Sequence, residues 1–327
     1  MSRRRTVCTA ASVARLAVDW VGSPSVLASA AQTPATNVRE TSTASGNVGT
    51  ECGTFFWTHG VLGSSRNLKS VAKAFAERAE KRLGKPVRCG LVDLRCHGAS
   101  AQLAGIRPPH DLRSAANDFV QTISVELPEG DTLEGLVGHS LGGKVVLQYL
   151  EEIKDCEARR RLLPRSAWVL DSVPAAAAGK LVGDTEEVLA SVAAVDLSRH
   201  SSPSDVARHF EEALGFSKGV SAWLSTSVVK DGTALRWKFD IAGCRDLFQS
   251  YQTADLMPIV RNPPSGTAVH FVKAERSPRL DGDVGEELGR LSDDSSHPLQ
   301  MHILKDAGHW LHVDQPRRLL ELMAGTL

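Results

Sequence analysis

Apolar residues follow two alternating rhythms along this chain. Phe55–Val61 reads as a buried strand, and Leu68–Leu83 repeats apolar residues at helical spacing through Leu68, Val71, Ala72, Phe75, Ala76 and Ala79. Val87–Leu94 is strand-like and runs into the polar loop Arg95–Ser100, and Asp111–Leu127 predicts the next helix. The apolar run Leu133–Val137 predicts a strand, the segment from Lys144 to about Asp155 a helix, and Ala167–Leu170 another strand that ends in Asp171-Ser-Val-Pro174. Strand alternating with helix at this spacing predicts an α/β fold with a mostly parallel, doubly wound sheet.

After Pro174 the alternation stops until about Thr267. Helix-like pieces at Thr185–Val195, Ser204–Leu214 and Val220–Val229 fill the gap. An insertion at the carboxyl end of a strand lies over the edge where open α/β sheets bind ligands, so residues about 175–267 are expected to form a helical cap. Ala268–Val272 and Leu299–Leu304 resume the sheet, Pro316–Ala324 predicts a closing helix, and residues about 280–298 predict a polar surface loop or short helix. The expected organisation is one domain over 51–327 carrying the cap, with no internal repeat.

Residues 1–50 differ in kind. Arg3, Arg4, Arg5, Arg15 and Arg39 stand among Ser, Thr and Ala, with Asp19 and Glu40 the only acids. That is the make-up of an organelle transit peptide, or of a disordered extension; the unbroken apolar core of a secretory signal is missing. No apolar run reaches the length of about 18 residues that a membrane span requires. Lysine plus arginine equal aspartate plus glutamate at 38 each, which removes a global basic field for nucleic acid and leaves a small neutral or apolar substrate as the better fit. Six cysteines lie far apart without zinc spacing, so neither a metal nor a cofactor is expected.

The run Gly138-His-Ser-Leu-Gly142 stands between a predicted strand and a predicted helix. A Gly-x-Ser-x-Gly turn in that place is a nucleophile elbow, with Ser140 as candidate nucleophile. A serine hydroxyl needs an imidazole to take its proton, and His309, in Gly308-His-Trp310 ahead of the last helix, is the candidate base; His139, His302 and His312 are its competitors. The order Ser, acid, His is the one that α/β-hydrolase chemistry uses. For the acid, Asp171 at a strand tip is preferred and Glu275, after the next strand, is the alternative. Backbone N–H groups of Leu141 and of Val61, or else Leu62, are expected to hold the oxyanion.

These motifs together resemble the α/β-hydrolase superfamily, and within it YbfF-type esterases and related mitochondrial α/β-hydrolase-domain proteins. The resemblance lies in His59-Gly-Val-Leu-Gly-Ser-Ser-Arg-Asn67, Asp93-Leu-Arg-Cys-His-Gly-Ala-Ser100, Gly138–Lys144, Asp171–Pro174 and Ala307–His312. It implies an α/β-hydrolase fold, Ser140 and His309 in their roles, and an acid at Asp171. It also brings in Asp240 as a rival acid, because some relatives use an aspartate in a segment similar to Leu235–Asp240. The early antiparallel strands of the family have little room in Asn37–Thr50 and are expected to be short or partly absent. A mitochondrial address is implied first, a plastid second.

The expected activity is hydrolysis of a small acyl ester, including thioesters and lipid esters, through an acyl-enzyme. An acyltransferase using the same triad, or a catalytically weak binding or partner-protecting module, is the alternative; protein partners stay open. Phe210, Phe216, Trp223, Trp237, Phe239 and Phe248 are candidates either for an acyl pocket or for the cap's own core.

Overall fold

The computed structural model describes residues 14–26, 51–176 and 183–327. Seven strands form one sheet: β1 (Val18–Gly22), β2 (Gly53–Thr58), β3 (Val87–Val92), β4 (Thr132–His139), β5 (Ser166–Leu170), β8 (Ala268–Ala274) and β9 (Leu299–Leu304), in the order β1-β3-β2-β4-β5-β8-β9. Six of them are parallel, and β1 alone runs antiparallel, against β3. The doubly wound arrangement predicted from the alternation is therefore present.

Helices cover both faces. On one face α1 (Ser65–Leu83) and the last helix, Pro316–Gly325, bury Phe75, Ala76, Leu319 and Met323 against Phe55, Trp57 and Trp168. On the other, α2 (Leu112–Glu126) and α3 (Leu141–Ile153) bury Phe119, Ile123, Val146 and Leu150 against Phe56, Leu136 and Val169. Each fully buried side chain of this size contributes roughly 1.5–3 kcal/mol relative to exposure. The strands are apolar on both faces because both faces are covered.

Strand β1 corrects the expectation that residues 1–50 form an extension outside the domain. Trp20 packs edge-on against Phe56, and Val21 joins the core. The residues before it are tied to α2: the Ala14 N–H donates to Asp118 Oδ1 at 2.8 Å and the Leu16 N–H to Thr122 Oγ1 at 2.8 Å. A five-residue edge strand interrupted by Asp19 offers little pattern to a sequence reading, and the antiparallel strand is drawn from upstream of Asn37–Thr50. Most of the leader reading, residues 1–13 and 27–50, lies outside the described residues.

Between β5 and β8, which are neighbours in the sheet, the chain inserts α4 (Gly183–Ala194), α5 (Pro203–Glu212), α6 (Lys218–Ser225), α7 (Ile241–Thr253) and α8 (Met257–Arg261). It also inserts a hairpin, β6 (Val228–Asp231) with β7 (Ala234–Trp237). The helix expected over Val220–Val229 is present as α6 as far as Ser225, and the hairpin takes over its last residues: the β-branched pair Val228-Val229 followed by Asp231-Gly232 is a strand-and-turn signal, with Gly232 at φ 62°. Helix α7 was not anticipated. The polar stretch about 280–298 contains α9 (Asp283–Asp293).

Candidate active site

Strand β4 delivers Ser140 to the start of α3 with φ 53° and ψ −118°. A non-glycine residue in that region costs on the order of 1–3 kcal/mol, and the turn is held by the Ser140 N–H donating to the Leu170 carbonyl at 3.0 Å and the Gly143 N–H donating to the Ser140 carbonyl at 2.9 Å. A Cβ on Gly138 would lie 2.1 Å from the Gly142 carbonyl oxygen, and one on Gly142 would lie 2.7 Å from that of Thr58. Both glycines are therefore dictated by the closeness of strand, turn and helix.

Asp171 directly follows β5 at φ 45° and is fully buried. Its own N–H donates to Val272, and its Oδ1 accepts the Ala274 N–H at 3.2 Å, so backbone from β8 fixes the carboxylate. Oδ2 stands 2.7 Å from His309 Nδ1. That acceptor keeps the proton on Nδ1 and leaves Nε2 with its lone pair. His309 comes from the loop after β9, and its carbonyl accepts a hydrogen bond from His139 Nε2 at 2.8 Å. Burial lowers the His309 pKa and its hydrogen bond to Asp171 opposes the shift, while the Arg279 charge lowers it further.

The other candidates lie elsewhere. Glu275 is exposed and accepts from Lys305 Nζ and the Asp306 N–H. Asp240 caps α7, taking the N–H groups of Ala242 and Gly243 at 3.1 and 3.3 Å. Its neighbours are Cys96 and His110, whose potential ligand atoms lie with its own within 4.8 Å. Burial pushes the Cys96 thiol up to about 12, away from the thiolate that metal ligation needs. Of the competing histidines, His302 pairs with His270 and stacks on Trp168 within the sheet. His139 and His312 are buried beside His309, and burial drives His312 down to about 4.

Two histidines whose roles the sequence reading missed shape the loop after β2. His59 Nδ1 donates to the Gly60 carbonyl at 2.8 Å while its Nε2 accepts the Leu94 N–H at 3.1 Å. His97 does the same one loop away, Nδ1 donating to the Arg95 carbonyl at 2.8 Å and Nε2 accepting the Leu62 N–H at 3.0 Å. Burial keeps both neutral, His97 down to about 3. Asp93 locks the same junction by accepting the N–H groups of Ser65 and Ala99 at 2.6 and 2.7 Å. Leu62 sits at φ 59° with its N–H consumed, whereas among the described residues the N–H groups of Val61 and Leu141 make no hydrogen bond. The signal was available as two His-Gly pairs, 59–60 and 97–98, each closing a strand's carboxyl end.

Ser140, His309 and Val61 open onto one cavity of about 340 Å³. Its roof comes from the insertion, through Thr185, Val188, Val220 and Trp223. Of the six cap aromatics only Trp223 lines it; Phe210 stacks on Phe216 and Trp237 on Phe239 within the insertion, and Phe248 stacks on Tyr251. Lys144, on α3, is fully buried, and its Nζ donates to the carbonyls of Ala175, Tyr251 and Ala254 over the Tyr251 ring. Burial lowers its pKa to about 8, while three acceptors and a ring face favour the ammonium.

Residues 55–322 match the alpha/beta hydrolase family. The chain is similar to the sn-1-specific diacylglycerol lipase ABHD11 of Mus musculus, 26% identical over 270 residues that span 82% of this chain and 79% of that protein. It is also similar to esterase YbfF of Escherichia coli (strain K12), 24% identical over 262 residues, 80% of this chain and 88% of that protein. Among solved structures, a marine microorganism esterase superposes with a TM-score of 0.67 at 18% identity, over 95% of this chain and all of that one; at that identity the likeness is one of fold. No helix of the described residues is long and apolar enough to cross a membrane.

Proposed function

The chain belongs to the alpha/beta hydrolase family, and on that premise we propose that this hydrolase is a serine esterase with Ser140, His309 and Asp171 as its triad. The observation that carries the reading is the 2.7 Å contact of Asp171 Oδ2 with His309 Nδ1, in a cavity that Ser140 also lines. Ser140 Oγ attacks the ester carbonyl while His309 Nε2 takes its proton, and Asp171 stabilises the imidazolium. The Val61 and Leu141 N–H groups hold the oxyanion, the latter aided by the positive end of α3. Collapse breaks the C–O bond, His309 returns the proton to the departing alcohol, and water then hydrolyses the acyl-Ser140 by the same steps. The esterase and lipase relatives support a small-molecule ester as substrate.

The test is hydrolysis of p-nitrophenyl esters from acetate to decanoate by the full chain beside Ser140→Ala. Serine-dependent turnover is expected, with kcat falling on the order of 10⁶-fold in the variant if the site follows the serine-protease precedent. Retention of half the activity by folded Ser140→Ala would overturn the assignment.

A further inference from the structure

Among the described residues no aspartate or glutamate lines the cavity, and its four histidines, His59, His139, His309 and His312, are all shifted toward the neutral form by burial. Arg279 is the one formally charged lining side chain among the described residues. It sits in the turn after β8, where Ser277 Oγ accepts its backbone N–H at 3.5 Å and its Nη2 reaches Thr185 Oγ1 of the roof at 3.4 Å. Among the described residues it makes no ion pair, in contrast to Arg276 three positions earlier, which faces Asp314 at 3.5 Å, and to Arg261, which is bidentate on Glu287. Its charge reaches the reacting centre, for it acts on both His309 and His139.

A cation held in a half-enclosed, largely apolar space without a counter-charge is a poor arrangement unless an anion arrives with the ligand. A guanidinium offers planar, paired donors that fit a carboxylate or phosphate. We propose that Arg279 is the anion subsite of this cavity, so that the preferred substrate is an ester carrying a second, negatively charged group. The proposal rests on the serine-esterase reading of the same cavity. A volume of about 340 Å³ is near the lower end of ligand sites, which favours a short molecule such as the half-ester of a small dicarboxylic acid. The anion has two possible sources, a carboxylate on the acyl part or a phosphate on the alcohol.

Two substrate pairs separate them: monomethyl glutarate beside methyl hexanoate, and 1-butanoylglycerol 3-phosphate beside 1-butanoylglycerol. The anionic member of one pair is expected to have at least a tenfold higher kcat/KM, carried in KM and weakened by salt, and which pair shows it identifies the source. Arg279→Leu should reduce that ratio at least tenfold, and Arg279→Lys should restore part of it. A ratio near one in both pairs, or one that Arg279→Leu leaves intact, would sink the subsite. Calorimetric binding of the same four compounds to Ser140→Ala asks the question without turnover: an anionic preference that vanishes in the double variant with Arg279→Leu supports the subsite, and equal or absent binding of all four overturns it. Serine-dependent cleavage of neutral esters without anionic preference discards the subsite alone; unaltered cleavage by Ser140→Ala discards the triad.

Discussion

On the floor of the cavity, where β2, β4 and β5 end, Leu62, Ser140 and Asp171 all hold positive φ without being glycine. In the roof, described residues 183–261 take positive φ only at Gly215 and Gly232. The floor is strained and locked by backbone hydrogen bonds to Leu170, Val272 and Ala274 and by two neutral histidines with both ring nitrogens engaged. The roof is relaxed, its helices packed through stacked aromatics and held to the floor by Lys144. The contrast puts strain of roughly 1–3 kcal/mol per residue under the cavity at Leu62, Ser140 and Asp171, with Cys96 and Asp306 the other non-glycine positions of positive φ among the described residues and none in the described part of the roof. The surface that selects the rest of the substrate is built from ordinary packing, which tolerates many sequences.

The sharpest way to break this comparison is to exchange a floor carboxylate and a roof carboxylate for their amides. Asp171→Asn is expected to lower kcat on the order of 10⁴-fold, as loss of the imidazole's orienting acid does in serine proteases. Asp240→Asn should change kcat less than threefold and cost at most about 1 kcal/mol of stability through the α7 cap. Steady-state kinetics of the two variants decides it, and comparable losses in both would remove the distinction between floor and roof.

Next in size is the tie between them. Lys144→Met strips the donor from three carbonyls, at a cost of roughly 1–3 kcal/mol for each buried group left unsatisfied. Thermal unfolding should shift down, and KM should rise more than kcat falls, because the roof is displaced while the triad keeps its own supports. A fall in kcat with unchanged KM would place Lys144 in the floor.

The smallest effect is a pH limb. His309 acts only when neutral, so kcat/KM for a neutral ester is lost as pH falls through its pKa. Burial and the Arg279 charge set that pKa below the ordinary value of about 6.5, against the opposing pull of Asp171; His139 and His312 beside it are neutral. Arg279→Leu removes one lowering charge, and the limb should move to higher pH. An unmoved limb would mean that the Arg279 cation and the base do not communicate.

The same division governs what the sequence made legible. Ser140, His309 and Asp171 could be named as candidates because chemistry demands particular residues at particular strand ends, and the parallel sheet could be read because strands covered on both faces are continuously apolar. Glu275 and Asp240 stayed open as acids because spacing alone does not say which strand end faces the imidazole; the register of β5 against β8 does. Arg279 escaped notice because an arginine in a polar turn looks solvated until the roof folds over it. Helix α7 and the β6–β7 hairpin escaped because their partners lie within the insertion and leave only short, mixed patterns.

Strand β1 sets a boundary on how this polypeptide can be trimmed. Deleting everything through residue 50 would take away Ala14 and Leu16, which bond Asp118 and Thr122 of α2, together with the whole of β1. The outer rim of β3 would then present its unpaired backbone groups to solvent, a template for joining another chain edge to edge. Any cleavage that is to preserve the rim must fall ahead of Ala14; a cut between 26 and 51 would leave the strand as a separate peptide, retained only by its pairing with β3 and the contacts of residues 14–21.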